Sequence, residues 1–344
     1  MEIYILAILV IVFALIFDGV NGFHDASNAI ATSITTGALK ARTAIIIAAV
    51  CNLLGALLGT AVASVIARDI VDMTSLTPIH QLFIVIAALI GAISWNLITW
   101  WFGLPSSSTH AIIGGLVGAG LSEQIHSGGH LINVSKVVAK VVDPMILSPI
   151  VGFSLALLLM LLINKILKTA KIEDSAKGFR VAQIFSSSAL ALGHGLQDAQ
   201  KSMGLIFMAS APVGFFGITA GEEHIPLPII VMCALAISIG TIFGGQRIIH
   251  TLGNKITTLS PQKGFVAEAV SAGVLFVTAY WIKAPISTTH TVTSAIAGTG
   301  ASDNLRAVKW GTLKNIVMAW IITVPSAGLI GFVIKEILRM LFEK

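Results

Sequence analysis

The chain is poor in charge and has almost no cysteine. Only 11% of its 344 residues are Asp, Glu, Lys or Arg, and Cys51 and Cys233 are its two cysteines. An ordinary soluble domain carries about 25% charged residues, so this composition cannot cover a water-facing surface. Disorder is excluded as well: 56% of the residues are hydrophobic, whereas disordered chains combine low hydrophobicity with high net charge. Two cysteines, each inside an apolar run, exclude a disulfide-stapled scaffold and a zinc ribbon. The metalloprotease helix signature, the P-loop and the Rossmann glycine pattern are also missing. Nor does a basic region precede the first apolar run. Ile3–Phe17 follows Glu2 directly, and Asp18 and Asn21 come next without a small-residue cleavage pattern. That run reads as a membrane helix rather than a signal peptide.

What the chain does have is apolar length. Its mean hydropathy is +0.92, which points to an all-α polytopic membrane protein. The formal net charge of +5 does not signal nucleic acid, because the basic residues sit between apolar runs, as they do in the loops of membrane proteins. A bilayer core takes about 20 apolar residues per helix. Full-length candidates are Thr43–Ile66, Leu82–Phe102, Met145–Ile163, Leu227–His250, Gly264–Trp281 and Asn315–Ile334. Shorter or interrupted runs are Ile3–Phe17 with Ala29–Ala38, Ala111–Leu121, Val181–Leu192 with Met203–Ala211, and Thr291–Gly300. With broken helices and hairpins included, about ten to twelve segments are expected.

Lys165, Lys168, Lys171, Lys177 and Arg180 make residues 165–180 the strongest basic loop, which the positive-inside rule places in the cytoplasm. Glu173 and Asp174 in the same loop count little. Residues 211–226 contain Glu222 and Glu223 but no Lys or Arg, so they are expected outside. Lys335, Arg339 and Lys344 hint at a cytoplasmic carboxyl end. The repeat described next places both ends outside if it is inverted, so the side of the termini stays open.

The loop divides two related halves, residues 1–164 and 181–344. Gly103-Leu-Pro-Ser-Ser-Ser-Thr-His110 recurs as Lys283-Ala-Pro-Ile-Ser-Thr-Thr-His290. Pro105/Pro285, Ser107/Ser287, Thr109/Thr289 and His110/His290 are identical pairs, followed by Gly118/Gly298 and Gly120/Gly300. Earlier in each half, Asn21-Gly-Phe-His-Asp-Ala-Ser-Asn28 aligns with His194-Gly-Leu-Gln-Asp-Ala-Gln-Lys201. Repeats carrying polar, interrupted segments in corresponding positions point to a transporter's binding site. Two inverted repeats with broken helices and re-entrant hairpins are therefore expected.

The polar residues of these motifs explain themselves poorly as structure alone. On a helix, Asn21, Asp25, Asn28 and Thr32 form one stripe, and His194, Asp198 and Lys201 its counterpart. A carboxylate at the bilayer centre costs at least about 2.5 kcal/mol, so Asp25 and Asp198 need compensation from Lys201 or from bound cations. Pro105 and Pro285 mark breaks. The hydroxyls after them suit the start of a short helix, whose exposed N–H groups form an anion site. His24, His110, His194 and His290 are candidates for proton relay, and His110 and His290 equally for bonding the hairpin backbone.

Asn21-Gly-Phe-His-Asp-Ala-Ser-Asn-Ala-Ile-Ala-Thr32 resembles the first signature of the inorganic phosphate transporter (PiT) family. His194-Gly-Leu-Gln-Asp-Ala-Gln-Lys-Ser-Met-Gly204 resembles its second, and the paired Pro-x-Ser-Ser/Thr-Thr-His hairpins are typical of it. The resemblance covers nearly the whole chain. It implies a cation-coupled phosphate symporter of the cell membrane, an inverted-repeat fold and a homodimer. The chain differs in having Gln197 where Asn is usual and in lacking the long central insertion of animal members.

The expected phosphate ligands are Asp25, Asn28, Ser106, Ser107, Ser108, Thr109, Asp198, Lys201, Ser287, Thr288 and Thr289. The expected cation ligands, for Na⁺ or H⁺, are Asn21, Asp25, Gln197 and Asp198. No resident cofactor, catalytic residue or nucleic-acid partner is expected. Some family members carry sulfate. Hydrogen phosphate can donate a proton to a carboxylate and sulfate cannot, which favours phosphate here. From the residues alone, a passive anion channel and an intramembrane hydrolase remain alternatives.

Overall fold

The computed structural model describes residues 2–68, 70–167, 172–218 and 224–342. Thirteen α-helices are formed among them. The first half contains α1 (Glu2–Thr35), α2 (Ala41–Ala56), α3 (Ala61–Arg68), α4 (Pro78–Trp101), α5 (Ser108–Ser127), α6 (Val134–Val137) and α7 (Asp143–Ile166). The second contains α8 (Ile172–Ser210), α9 (Leu227–Phe243), α10 (Gln246–Asn254), α11 (Pro261–Val277), α12 (Thr288–Ala301) and α13 (Trp310–Phe342). Between described residues, strand pairing is limited to one isolated bridge, Val71 to Ile132.

Five helices are long and apolar enough to cross a membrane: α1, α4, α7, α11 with its continuation to Ile282, and α13. Together α9 and α10 make a sixth candidate, bent by 72°. The rest of the ten to twelve expected segments correspond to α2, α3, α5, α8 and α12. These are short, broken or too polar to face lipid unaided; the other helices wrap α5 and α12, while α2 keeps an exposed apolar face at Ile46, Val50 and Leu54. Exposed apolar side chains such as Leu147, Ile150 and Leu158 on α7, and Ile321 and Leu329 on α13, supply the outer surface.

Four local expectations change. The two signature segments are not interruptions: α1 and α8 run unbroken for 34 and 39 residues, because neighbouring helices satisfy their polar side chains. Conversely, the apolar runs Thr43–Ile66 and Leu227–His250 are each broken. Leu57–Thr60 separates α2 from α3, and Gly244, at φ +61°, separates α9 from α10. The expected loop 165–180 is shorter, since α7 and α8 take up both ends; Lys168 and Lys171 lie outside the described residues, as do Glu222 and Glu223. Lys335, read as a terminal topogenic cation, is instead buried on α13, with Nζ 2.6 Å from Glu123.

The halves trade partners. In the first half α1 packs on α9 and α5 on α13, while in the second α8 packs on α2 and α12 on α7. The two signature glycines permit the first exchange. A Cβ on Gly22 would strike the backbone of Ile237 and Thr241 on α9, and one on Gly195 the backbone of Asn52 on α2. The hairpin breaks also correspond. Gly103 adopts φ +64° and Lys283 φ +54°, so each chain path reverses in the left-handed region just before its serine-rich helix start.

Candidate functional site

The site forms where the starts of α5 and α12 meet the middle of α1 and α8. Ser107 caps α5 by accepting from His110 N–H at 3.3 Å, and Ser287 caps α12 by accepting from His290 N–H at 3.1 Å. The side chains that follow each cap turn towards the aspartates. Ser108 Oγ donates to Asp25 Oδ2 at 2.6 Å. Thr289 Oγ1 approaches Asp25 Oδ1 at 3.3 Å, and Thr288 Oγ1 approaches Asp198 Oδ1 at 3.5 Å. Asp25 and Asp198 are 2% and 1% exposed, so both carboxylates have left water.

Lys201 supplies the positive charge. Its Nζ lies 2.9 Å from Asp198 Oδ2 and donates to Ser108 Oγ at 2.8 Å and Thr109 Oγ1 at 3.1 Å. Thr109 Oγ1 in turn donates to Ile286 O, across the two hairpins. Asn21 Nδ2 donates to Asp198 Oδ2, and Asn28 Nδ2 to Thr289 Oγ1. Each amide is thereby oriented with its oxygen unused: Asn21 Oδ1 and Asn28 Oδ1 are buried without a hydrogen-bond partner among the described residues. Two carboxylates beside two idle amide oxygens make a hard oxygen donor set suited to a small hard cation. Oxygens of Asp25 and Asp198 also fall within 4.8 Å of a His194 ring nitrogen.

Most expected ligands thus converge, but Ser106, Ser107, Ser287 and Gln197 make their bonds elsewhere. Ser107 and Ser287 spend their hydroxyls on the caps. Gln197 reaches away to α11, donating to Thr278 Oγ1 at 2.9 Å and Leu275 O at 3.3 Å. Its repeat counterpart behaves alike, as His24 Nε2 lies 3.2 Å from Thr99 Oγ1 on α4. These two residues tie the signature helices to the helix before each hairpin. Ser106 joins the same knot, 2.7 Å from Thr99 Oγ1.

Thr99 and Thr278 were missed by sequence reasoning, because the hairpin alignment extended backwards sets Thr99 against Ala279 and Thr278 against Ile98, one residue out of register. Asn52 was missed too. It sits 2.9 Å from His194 Nδ1 and donates to Thr241 Oγ1; its signal was a lone amide in an apolar run. A further buried carboxylate, Glu268, accepts from Thr32 Oγ1 at 2.6 Å, Ser186 Oγ at 2.5 Å and Gln183 Nε2 at 3.2 Å. The contacts that His110 and His290 make through their rings are aromatic. Their rings meet edge to face at 4.5 Å, and His290 stacks on Trp320 at 3.8 Å.

Comparison with known proteins agrees with this geometry. A profile described as "Phosphate transporter family" matches residues 21–331. A Rhizobium meliloti protein described as a "Probable low-affinity inorganic phosphate transporter" is 45% identical, with 92% of each chain covered. A Bacillus subtilis protein of the same description is 42% identical over 98% of each chain. A solved structure, "The sodium-dependent phosphate transporter", superposes with a TM-score of 0.86 at 25% identity, over 98% of this chain and 100% of that one. These relatives are transporters, not enzymes. Together with the apolar helices they make the protein a multi-pass component of the cell membrane. Duplicated signatures, a shared buried site and whole-length relatives lead to one conclusion: the chain belongs to the phosphate transporter family.

Proposed function

We propose that the protein moves inorganic phosphate across the cell membrane together with Na⁺ or H⁺, by alternating access around Asp25, Asp198 and Lys201. One observation carries this reading. Two hydroxyl-bearing helix starts, two carboxylates and one ammonium converge at a single buried point. The names of the matched relatives and of the similar solved structure support phosphate as cargo and Na⁺ as the first candidate for coupling.

The chemistry follows from donors and charge. The hydroxyls of Ser108, Thr109, Thr288 and Thr289, the first N–H groups of α5 and α12, and Lys201 bind phosphate oxygens. The P–OH of hydrogen phosphate donates to Asp25 or Asp198. With the histidines neutral, two aspartates against one lysine leave one negative charge. A dianion adds two more, and at about 4 Å each like-charge contact costs about 4 kcal/mol at an effective dielectric near 20. One or two monovalent cations on the carboxylates and on Asn21 and Asn28 offset that repulsion. Gln197 is held at Thr278 through its Nε2, which leaves its buried Oε1 without a partner among the described residues as a further oxygen for the cation.

The proposal includes inversion of the repeats, residues 1–164 and 181–344 about a 165–180 linker, and a homodimer. The exchanged packing of the halves supports a two-fold relation, and alternating access then amounts to one unit moving against the other. The test is radiolabelled phosphate uptake into proteoliposomes with Na⁺ and pH gradients imposed separately. Uptake is expected under one of them and not without either. Downhill phosphate flux that needs no cation and shows no trans-stimulation would replace the symporter with a channel. Equal competition by excess sulfate would overturn phosphate as the substrate.

A further inference from the structure

We propose a second site for a phosphate group, outside the buried cluster, in the cavity between α10 and the α4–α5 connection. The cavity measures about 380 Å³ and is bounded by Phe102 and Gly103 on one side and by Arg247, His250, Thr251 and Lys255 on the other. That volume is within the ~300–1,000 Å³ of ordinary small-ligand clefts. The inference does not depend on what the buried cluster carries.

Charge is the first argument. Arg247, His250 and Lys255 are exposed around one opening. Among the described residues none of the three pairs with an acid. Nearby acids are engaged elsewhere: Asp303 lies 2.5 Å from Lys263, and Glu268 is enclosed by Thr32, Ser186 and Gln183. Preorganisation is the second. The Arg247 guanidinium rests on Trp101 at 4.6 Å and Trp100 at 5.5 Å, and donates to Trp101 O. Thr251 Oγ1 donates to Gly103 O at 3.0 Å, which pins α10 to the hairpin. An arginine already stacked and oriented loses little freedom when its remaining N–H groups fork onto phosphate oxygens.

Position is the third argument. The 72° bend turns α10 away from the direction of α9. Exposed Trp101, Phe102 and Phe243 adjoin its cations, and aromatic and cationic side chains together mark the headgroup level of a bilayer. From Lys255 the chain leads to the start of α11, where Gln262 donates to Ser175 at the start of α8. The cavity therefore belongs to the side of the basic loop. The corresponding helix of the first half, α3, reads Ala-Val-Ala-Ser-Val-Ile-Ala-Arg and so carries one cation, Arg68, where the second half places Arg247, His250 and Lys255 around the cavity.

The recognised chemistry is a phosphate monoanion or dianion, from an anionic lipid headgroup or from free phosphate. Two assays on the full-length protein separate the sources. In native mass spectrometry, retention of phosphatidylglycerol over phosphatidylcholine reads the lipid source, and each cation removed should lower it about fivefold. Equilibrium dialysis of radiolabelled phosphate against delipidated protein carrying Asp198→Asn reads the free ion; saturable binding should survive that change and be lost on adding Lys255→Gln. The double variant His250→Gln/Lys255→Gln keeps the Arg247–tryptophan stack, so loss of binding there cannot be attributed to unfolding at Trp101. A signal in either assay that is lost in this double variant and kept in Lys165→Gln supports the site. No signal in either assay, or equal loss in Lys165→Gln, overturns it.

Discussion

Lys201 is 1% exposed, and an ammonium in such surroundings persists only when it is paired. Asp198 is its carboxylate partner, and the hydroxyls of Ser108 and Thr109 complete its donors. Asp198→Asn keeps the volume and removes the charge. Breaking one side of a buried pair costs about 3–5 kcal/mol, so phosphate uptake should fall by about 100-fold or more. Elution on size exclusion should stay unchanged. Wild-type uptake by this variant would remove Asp198 from the centre of the mechanism. A second residue-scale expectation concerns Lys283, which holds φ +54° where the other half has Gly103. The left-handed region costs an L-residue about 1–2 kcal/mol. Lys283→Gly should therefore raise the thermal unfolding temperature in detergent, and Gly103→Ala should lower it.

Among the elements, the two broken helices are held by residues of the opposite half. Gln200 Oε1 accepts from Val62 N–H at 2.6 Å and Ala63 N–H at 3.2 Å, satisfying the start of α3. The aligned residue, Ser27, donates to Gly245 O at the α9–α10 break. Ala63 N–H also has Thr60 O at 3.2 Å, so the amide that depends on Gln200 is that of Val62, and a buried amide without an acceptor costs about 1–3 kcal/mol. Gln200→Ala should speed hydrogen exchange at Val62 while leaving α8 itself protected; unchanged exchange there would show that the break is held otherwise. This pairing was within reach of sequence reasoning, since Ser27 and Gln200 lie in the quoted signatures. Their partners were not, because Thr43–Ile66 and Leu227–His250 read as plain spans. Hydropathy reports how apolar a stretch is, not where a distant side chain will accept its amides.

For the whole molecule, the consequence of the exchanged packing is that neither half is complete alone. Each signature glycine needs the backbone of the other half against it, so expression of residues 1–164 by themselves should yield protein that aggregates. The basic-loop reading also makes a sidedness prediction. With Cys51 and Cys233 replaced by Ala, Lys177→Cys should react with an impermeant thiol reagent only from the cytoplasmic face, and His224→Cys only from the opposite one. Labelling of both from one side would refute the assigned orientation.

Composition and motif spacing determined much about this protein without any coordinates: the membrane as solvent, the duplicated plan, and the identities of Asp25, Asp198, Lys201 and the hydroxyls after each proline. Those features are local or periodic, and low charge or a repeated tetrad survives in a linear string. Only the tertiary structure decided that Gln197 reaches Thr278, that Asn52 supports His194, and that Lys335 is buried against Glu123. In each case a hydrogen bond or ion pair is settled by the angle and distance at which two helices cross. Residues up to 212 positions apart, as Glu123 and Lys335 are, meet only once the whole bundle has packed.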